Sequence, residues 1–585
     1  EHDHHVAPAG EHDHHVAPAD AHEHEAPADA HEHHEAAPAR PAAGQDGHAG
    51  HRHAAPVLGE TGHSGHHASS GGGEGHTMTH PGLPTRWIFP ALGIMGLMLL
   101  FLLLGGTPVL QPLRSLNLAQ VPLVGALVRL LNNSPWPLVA LKIFSVSCFL
   151  WVVLAGLFGT LLPERNLATV FVWNFWWPLV VVSVFFIGSA WCAFCPWDTI
   201  ASWVVRRRLW KRVLPHPGYN LKVPAALRNV YPALILFMGL TWLELGIGVT
   251  TQPRMTAFLA LVMVFLSLTG LVLFERKAFC RYFCPVGRTL GFYSRLAPIE
   301  VRSQNESLCA SCKTMECYNG SETIEPCPTH LTVGRFSQNT NCLSCGNCVL
   351  SCPYDNVSWR LRPLGSEAKF QARPLWDATW FMLALLGITS FHGVTMMSFW
   401  EGWVVRVAGW IGETGQLIGS FTILMLAGFG VPILFYAAAI GLTWWLSPKG
   451  TRYERLFLAL PFSSLPLAFT YHLAHNMDHL FREGGDLGSL VVNPLGTGLE
   501  AMSGMERHQL MMTTLFPQDV LFAVQTGLML IGFWLSVQIL RHRAVGVLAG
   551  GASLSGVRLL PMAGFMTLIA GFNFWLLSHE MVMRF

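Results

Sequence analysis

The sequence predicts an α-helical polytopic membrane protein of about ten transmembrane helices, with one small α+β cysteine-rich insert and a disordered His-rich N-terminal tail. Three observations carry that prediction. Half of the 585 residues are hydrophobic and only 12% are charged, where a soluble domain carries about a quarter charged residues. Eight of the thirteen cysteines fall between Cys309 and Cys352, and nineteen of the 28 histidines precede the first apolar run. A net charge of +2 gives no reason to expect a nucleic-acid partner, and no G-x-G-x-x-G or phosphate loop signals a nucleotide.

Residues 1–86 begin with two near-copies of EHDHHVAPA and continue with variants of it. With almost nothing apolar to bury, this segment is expected to be disordered. Imidazoles mixed with carboxylates are ligands for Zn, Cu, Ni or Fe, so the tail reads as a metal-gathering segment. A solvated spacer and an expression tag are the bland alternatives, and the imperfect repeats speak against a tag. The chain begins with Glu, consistent with a removed leader, although no signal peptide is visible.

Ten apolar stretches of membrane length follow, at 87–106, 138–161, 170–190, 230–249, 256–275, 376–397, 417–446, 455–475, 518–540 and 559–579. Basic clusters after the third, fifth, seventh and ninth (Arg206–Arg208 with Lys211 and Arg212; Arg276, Lys277, Arg281 and Arg288; Lys449, Arg452 and Arg455; Arg541 and Arg543) all fall on one side if every stretch crosses. The positive-inside rule makes that side cytoplasmic. It puts the insert in the cytoplasm, and the tail and C-terminus outside a cytoplasmic (inner) membrane. The expected domains are 1–86, a five-helix unit 87–299, the insert 300–365 and a second five-helix unit 366–585.

Within the insert, Cys342, Cys345, Cys348 and Cys352-Pro353 fit C-x2-C-x2-C-x3-C-P at every position. In that ferredoxin run three thiolates hold one [4Fe–4S] cluster and the fourth reaches a second. Cys309, Cys312, Cys317 and Cys327-Pro328 form the partner run with looser spacing. Crossed ligation predicts cluster one on Cys309, Cys312, Cys317 and Cys352, and cluster two on Cys342, Cys345, Cys348 and Cys327. Zinc ribbons also use C-x2-C pairs, but two Cys-Pro ends in crossing order favour iron–sulfur. Cys148, alone in an apolar run, reads as a small buried hydrophobe.

Two further pairs end the third and fifth stretches, Cys192-x2-Cys195-Pro196 and Cys280-x3-Cys284-Pro285. Side parity gives all four thiols one depth. A proline after the second cysteine is expected to end or kink the helix and aim a thiolate inward. Four converging thiolates could hold a further Fe–S or metal centre, with Arg281 and Arg288 lowering the thiol pKa values. The rivals are a redox-active dithiol pair and cysteines that merely pack.

This combination resembles the membrane polyferredoxins of the NapH/NosR/CcoG type, and it is similar to the ferredoxin-like component of periplasmic ferrous-iron uptake systems. The likeness covers roughly 138–362. It implies electron transfer through Fe–S clusters in service of a periplasmic reductase, oxidase assembly or metal uptake. No extracytoplasmic flavin domain precedes the stretches, five extra stretches follow the insert, and the first pair has two intervening residues where the family often has three.

In those extra stretches, His472, His475 and His479 recur at i, i+3 and i+7, one helical face, and intramembrane ionisable residues mark function. His392, Met396, Met397 and Glu401, then Glu483, Met502, Met505, His508, Met511, Met512, His579 and Glu580, are expected at the same outer face. Such a set suits copper or iron, and a haem b between His392 and His472 or His475 is a second possibility. The bland reading is interfacial histidines bonded to loops and methionines filling the core. The whole then reads as a wire that carries electrons from a cytoplasmic donor, or from quinol, to an extracytoplasmic iron or copper ion. A quinol-linked donor to a periplasmic reductase, and a metal permease or redox sensor, are the alternatives.

Overall fold

In a computed structural model the protein is described over residues 79–106, 108, 115–208, 211–214, 217–482, 487–512 and 516–582. The His-rich tail up to residue 78, Glu483, and the side chains of His508, Met511 and Met512 lie outside the described residues. Strand β1 (Thr79–His80) leads into helix α1 (Thr85–Leu104). A short strand β2 (Leu116–Asn117) and the ten-residue helix α2 (Val124–Asn133) precede α3 (Trp136–Phe158) and α4 (Leu167–Ile187). Then come α5 (Pro196–Arg206), α6 (Tyr231–Gly246), α7 (Pro253–Leu273) and α8 (Pro285–Tyr293). The insert runs from β3 (Ile299–Ser303) to β4 (Val357–Leu361). After it stand α9 (Trp376–Thr395), α10 (Ile418–Trp445), α11 (Tyr453–Arg482), α12 (Gln518–Arg543), α13 (Gly556–Ser578) and β5 (Met581–Val582).

Among the described residues nine helices are long and apolar enough to cross a membrane. The chain is thus a multi-pass membrane protein, as only helices or closed barrels satisfy their own backbone in lipid. The expected crossing at 230–249 is shorter than foreseen. Its helix, α6, has 16 residues, roughly 24 Å at 1.5 Å per residue, against a hydrocarbon layer of about 30 Å. Gly248, at φ 75°, turns the chain out of the helix there.

Pairings between loops show how the helices alternate. β2 joins the edge of the insert sheet in the order β2–β4–β3, so the α1–α3 connection lies at the insert end. At the opposite, distal end β1 pairs with β5, and Met397 bridges Met581. Thr160 N–H donates to the Leu495 carbonyl at 2.8 Å, bringing the α3–α4 and α11–α12 loops together there. The expected halves are not separate. Helix α1 packs on α12 and α13, and one continuous core runs from Met95 through Val180 and Phe381 to Phe574. The apolar pattern of a crossing helix does not encode its neighbours, so the packing of α1 was not legible in sequence order.

The insert is locked to the bundle by a buried ion network. Glu300 of β3 meets Arg302 (3.1 Å), Arg360 (2.9 Å) and Arg362 (3.0 Å), and Arg362 also meets Glu367 (2.9 Å). Arg362 donates onward to the Ala297 and Ser294 carbonyls, and Asn339 N–H donates to Glu367. Burial pushes the Glu300 carboxyl up, but Arg362, Arg302 and Arg360 outweigh it and hold it below the usual carboxylate range. A depressed carboxylate pKa stabilises the folded state above its unfolded value of about 4.3, and that contribution fades as pH falls through the folded value. Glu300→Gln takes the carboxylate from Arg302 and Arg360 and leaves Arg362 with Glu367 alone. It is expected to destabilise the insert by about 3 kcal/mol, read as faster amide exchange in β3 and β4 at pH 7, with the gap to wild type closing on acidification.

Candidate functional site

The insert wraps its cysteines in tight loops. Met315 (φ 47°), Ser344 (φ 50°) and Gly346 (φ 74°) take left-handed conformations that fold the backbone back toward the sulfurs. Backbone and side-chain N–H groups point at the thiols. Leu331 donates to Cys327 Sγ (3.2 Å), Ser344 to Cys342 Sγ (3.4 Å) and Asn356 Nδ2 to Cys309 Sγ (3.3 Å). Such donors tune a thiolate-bound cluster. The cysteines form two groups. Cys317 senses the charges of Cys309, Cys352 and Cys312, whereas Cys348 senses chiefly those of Cys345, Cys342 and Cys327. The second group lies against the bundle, where burial pushes the Cys342 thiol up to about 12.

The basic loops of the bundle clasp this insert. Arg276 donates to the Cys327 carbonyl (2.8 Å) and lies 4.2 Å over the Tyr318 ring. Arg281 bonds the Thr329 carbonyl, Arg212 the Ser321 carbonyl (2.8 Å), and Arg206 pairs with Glu325 (3.4 Å). Residues that the sequence marked as a cytoplasmic side thus also seat the insert.

The four cysteines of the bundle come together at the same end. Each proline begins a helix rather than ending one, which corrects the expectation. Pro196 and Pro285 sit at the first positions of α5 and α8, where a missing N–H costs nothing, and Cys195 and Cys284 are the capping residues. At α8 a free N–H group of the helix start therefore bonds a sulfur, whereas at α5 no such cap bond forms. Gly287 N–H donates to Cys284 Sγ at 3.2 Å, and Asp198 N–H favours the Cys195 thiolate. Cys280 opens a π turn, Phe279–Phe283, that ends at Cys284. Cys284 Sγ and Cys192 Sγ lie 3.4 and 3.7 Å from one point, the place a Cβ on Gly287 would take.

Charge around this quartet was only half anticipated. Burial pushes all four thiols up, Cys192 to about 12, and outweighs Arg288, so the expected lowering does not occur. A bound metal, which deprotonates thiols outright, is what would ionise them. Arg288 itself is fully buried. Its Nη1 donates to the Thr340 carbonyl (2.9 Å) and to Asn341, while Nε and Nη2 find no acceptor among the described residues. A buried guanidinium with spare donors beside Cys192 and Cys284 fits an anionic thiolate-bound group. Among the described residues no three His, Cys, Asp or Glu side chains are gathered for a single ion.

Sequence reading passed over the ion pair beside it. Lys277 binds Asp198, whose other oxygen lies 3.8 Å from Cys280 Sγ. Charged residues three before Cys280 and three after Cys195, flanking apolar runs, were the available signal. Ser189 Oγ donates to the Cys342 carbonyl at 2.7 Å and, like Arg288, joins the quartet to the insert.

The predicted histidine face divides. His472 Nδ1 meets Tyr293 Oη of α8 at 3.2 Å, and its ring lies 5.7 Å from Trp177. Trp176 in turn contacts Trp191 and Trp197 beside the cysteines. His475 turns elsewhere, 5.0 Å from the His392 ring and 5.1 Å from His479. Helix α11 is almost wholly buried, so each turn meets a different neighbour and one face does not make one site. The edge-to-face contact of His392 with His475 leaves no slot for a porphyrin between them, so these residues do not fit a haem in this arrangement. Met396 is buried at the end of α9. The His579 ring lies tilted against Trp575 (centroids 4.4 Å apart), and its Nδ1 bonds the Trp575 carbonyl (2.8 Å), as an interfacial histidine does. Cys148 is half-exposed rather than buried and lines a Trp-rich cavity.

Comparison with known proteins bears on the quartet. A family described as a 4Fe-4S binding domain matches the chain twice, at residues 169–213 and 256–300. The two copies hold Cys192 with Cys195 and Cys280 with Cys284, and both end before the insert cysteines. The chain is 32% identical over 129 residues to the Escherichia coli protein named "Putative electron transport protein YccM", a stretch covering 21% of this chain and 34% of that one. The chain thus spans about a third of that relative's length. It is also 26% identical over 194 residues to "Uncharacterized protein MJ0750" of Methanocaldococcus jannaschii, covering 31% of this chain and 76% of the relative. No solved structure matches the chain significantly.

Proposed function

We propose that the protein transfers electrons through iron–sulfur centres from its insert into the membrane, in the sense its resemblance and the name of the Escherichia coli relative suggest. The observation that carries this reading is the continuity at Arg288 and Ser189. Both contact the Thr340–Cys342 segment of the insert while standing beside the bundle quartet. When bound, [4Fe–4S] groups on the two insert sets and the quartet supply one-electron carriers. The chain keeps their sites contiguous, lends them N–H donors and a buried cation, and shields the inner two from water.

The acceptor we assign is an iron or copper ion on the distal, extracytoplasmic side of an inner membrane. Support for it is the run of borderline imidazole donors His392, His475 and His479, in ring contact in the distal half of α9 and α11 though not closed around a single ion. A second reading is quinol as donor. One observation favours it: an apolar cavity of about 500 Å³ between α3, α4, α6 and α7, walled by Trp173, Trp176, Trp191 and Trp197 and reaching Glu244. Anaerobic vesicles holding the protein with its insert reduced decide between them. External Fe(III) or Cu(II) should be reduced without added quinone. Reduction only when a quinone is supplied moves the assignment to the second reading. Insert clusters that cannot reduce the quartet in freeze-quench spectra overturn both.

A further inference from the structure

A second cavity, of about 620 Å³, lies where the insert meets the bundle. One wall is apolar and comes from α2 and the start of α3, with Leu127, Leu131, Leu138 and Leu141. The other is charged. Seven Lys or Arg side chains and three Asp or Glu side chains line it among the described residues, an excess of four positive charges. Two of the acids are already engaged, Asp198 by Lys277 and Glu325 by Arg206. Only one cysteine, Cys345, is on its wall, so this is not the cradle of any cysteine set.

Helix α2 tells which surface the cavity opens to. It stands at the insert end with apolar side chains facing outward: Leu123, its cap residue, is 95% exposed and Leu130 51%. A ten-residue amphipathic helix with bare leucines beside a membrane bundle has the character of a helix that rests in the headgroup layer. A cavity there with an apolar wall and a cationic wall matches the two chemistries of one molecule, and basic pockets between helices at this depth take lipid headgroups.

We propose that this cavity binds one anionic phospholipid, its headgroup phosphate among Arg208, Lys211 and their neighbours and its acyl chains along α2 and α3. The lipid fills the joint between insert and bundle next to Cys345. The proposal does not depend on what the iron–sulfur centres reduce.

The test uses the intact, cluster-loaded protein in a neutral detergent, titrated with phosphatidylglycerol or phosphatidylcholine and read by native mass spectrometry. One phosphatidylglycerol should bind about tenfold more tightly than phosphatidylcholine. Arg208→Gln with Lys211→Gln should weaken phosphatidylglycerol by about tenfold, to the level of phosphatidylcholine, since each cation near an anionic headgroup contributes at most about a fivefold factor, and should leave phosphatidylcholine unchanged. The visible spectrum of the clusters reports that the fold is kept, and if the double variant loses it the two single variants are read instead. Equal binding of the two lipids overturns the proposal. So does full phosphatidylglycerol binding by the variants, or binding of soluble glycerol phosphate as tight as that of the lipid, which would make the apolar wall irrelevant.

Discussion

Cys284→Ala is expected to remove one iron–sulfur centre and leave two. Cys284 caps α8, receives the Gly287 N–H and shares a corner with Cys192, so no other thiol can take its place. Four irons per cluster predict a fall from about twelve to about eight irons per chain. The insert clusters, held by cysteines on other loops, should keep their spectra. Electron delivery past the insert should drop by at least about a hundredfold while reduction of the insert itself stays normal, which separates a lost carrier from a lost fold. Unchanged iron content would return the quartet to packing or dithiol chemistry.

Asp198→Asn is expected to raise the reduction potential of the quartet centre by on the order of 100 mV. The Asp198 carboxylate lies 3.8 Å from Cys280 Sγ and is bound to buried Lys277. At such a separation two unit charges interact by about 4 kcal/mol at an effective dielectric near 20, and 1.4 kcal/mol corresponds to about 59 mV for one electron. Screening by Lys277 in the wild type reduces the effect below the full value. The sign is firm, because losing a negative charge and freeing a positive one both favour the added electron. A spectroscopic redox titration reads it. A potential that stays in place, with the centre intact, would mean that the group sits away from Cys280. Both this variant and Glu300→Gln remove a buried carboxylate, yet they should part cleanly. One shifts a potential, and the other loosens the insert.

Much of the molecule was legible in its residues. The insert cysteines stand out by spacing alone, because cluster ligands come from tight local loops, and the two Cys-Pro pairs fall inside the two matches to a 4Fe-4S binding domain. The basic loops predicted which ends of the helices meet, and the β2–β4 and β1–β5 pairings place them so. The failures have one origin. The proline rule was applied to the helix before it instead of the helix it starts. The His472, His475 and His479 repeat promised one face, but a helix buried all round turns its faces to different partners, Tyr293 on one side and His392 on the other. Arg288 was expected to acidify nearby thiols, and burial, invisible in a sequence, reversed the balance.

The sequence by itself determined that this is a many-helix membrane protein with two sets of cluster-type cysteines. Run length and ligand spacing are local quantities, set by helix rise, bilayer thickness and the reach of a few residues. Only the tertiary structure decided that α1 belongs with the last helices, that Arg288 and Ser189 bridge the insert and the quartet, that Asp198 and Lys277 flank Cys280, and that a cationic, leucine-walled cavity fills the joint. Those are matters of which distant segments share a buried space. In a bundle whose apolar faces are nearly interchangeable, it is the few buried charges and hydrogen bonds, each costly if left unmet, that select one arrangement.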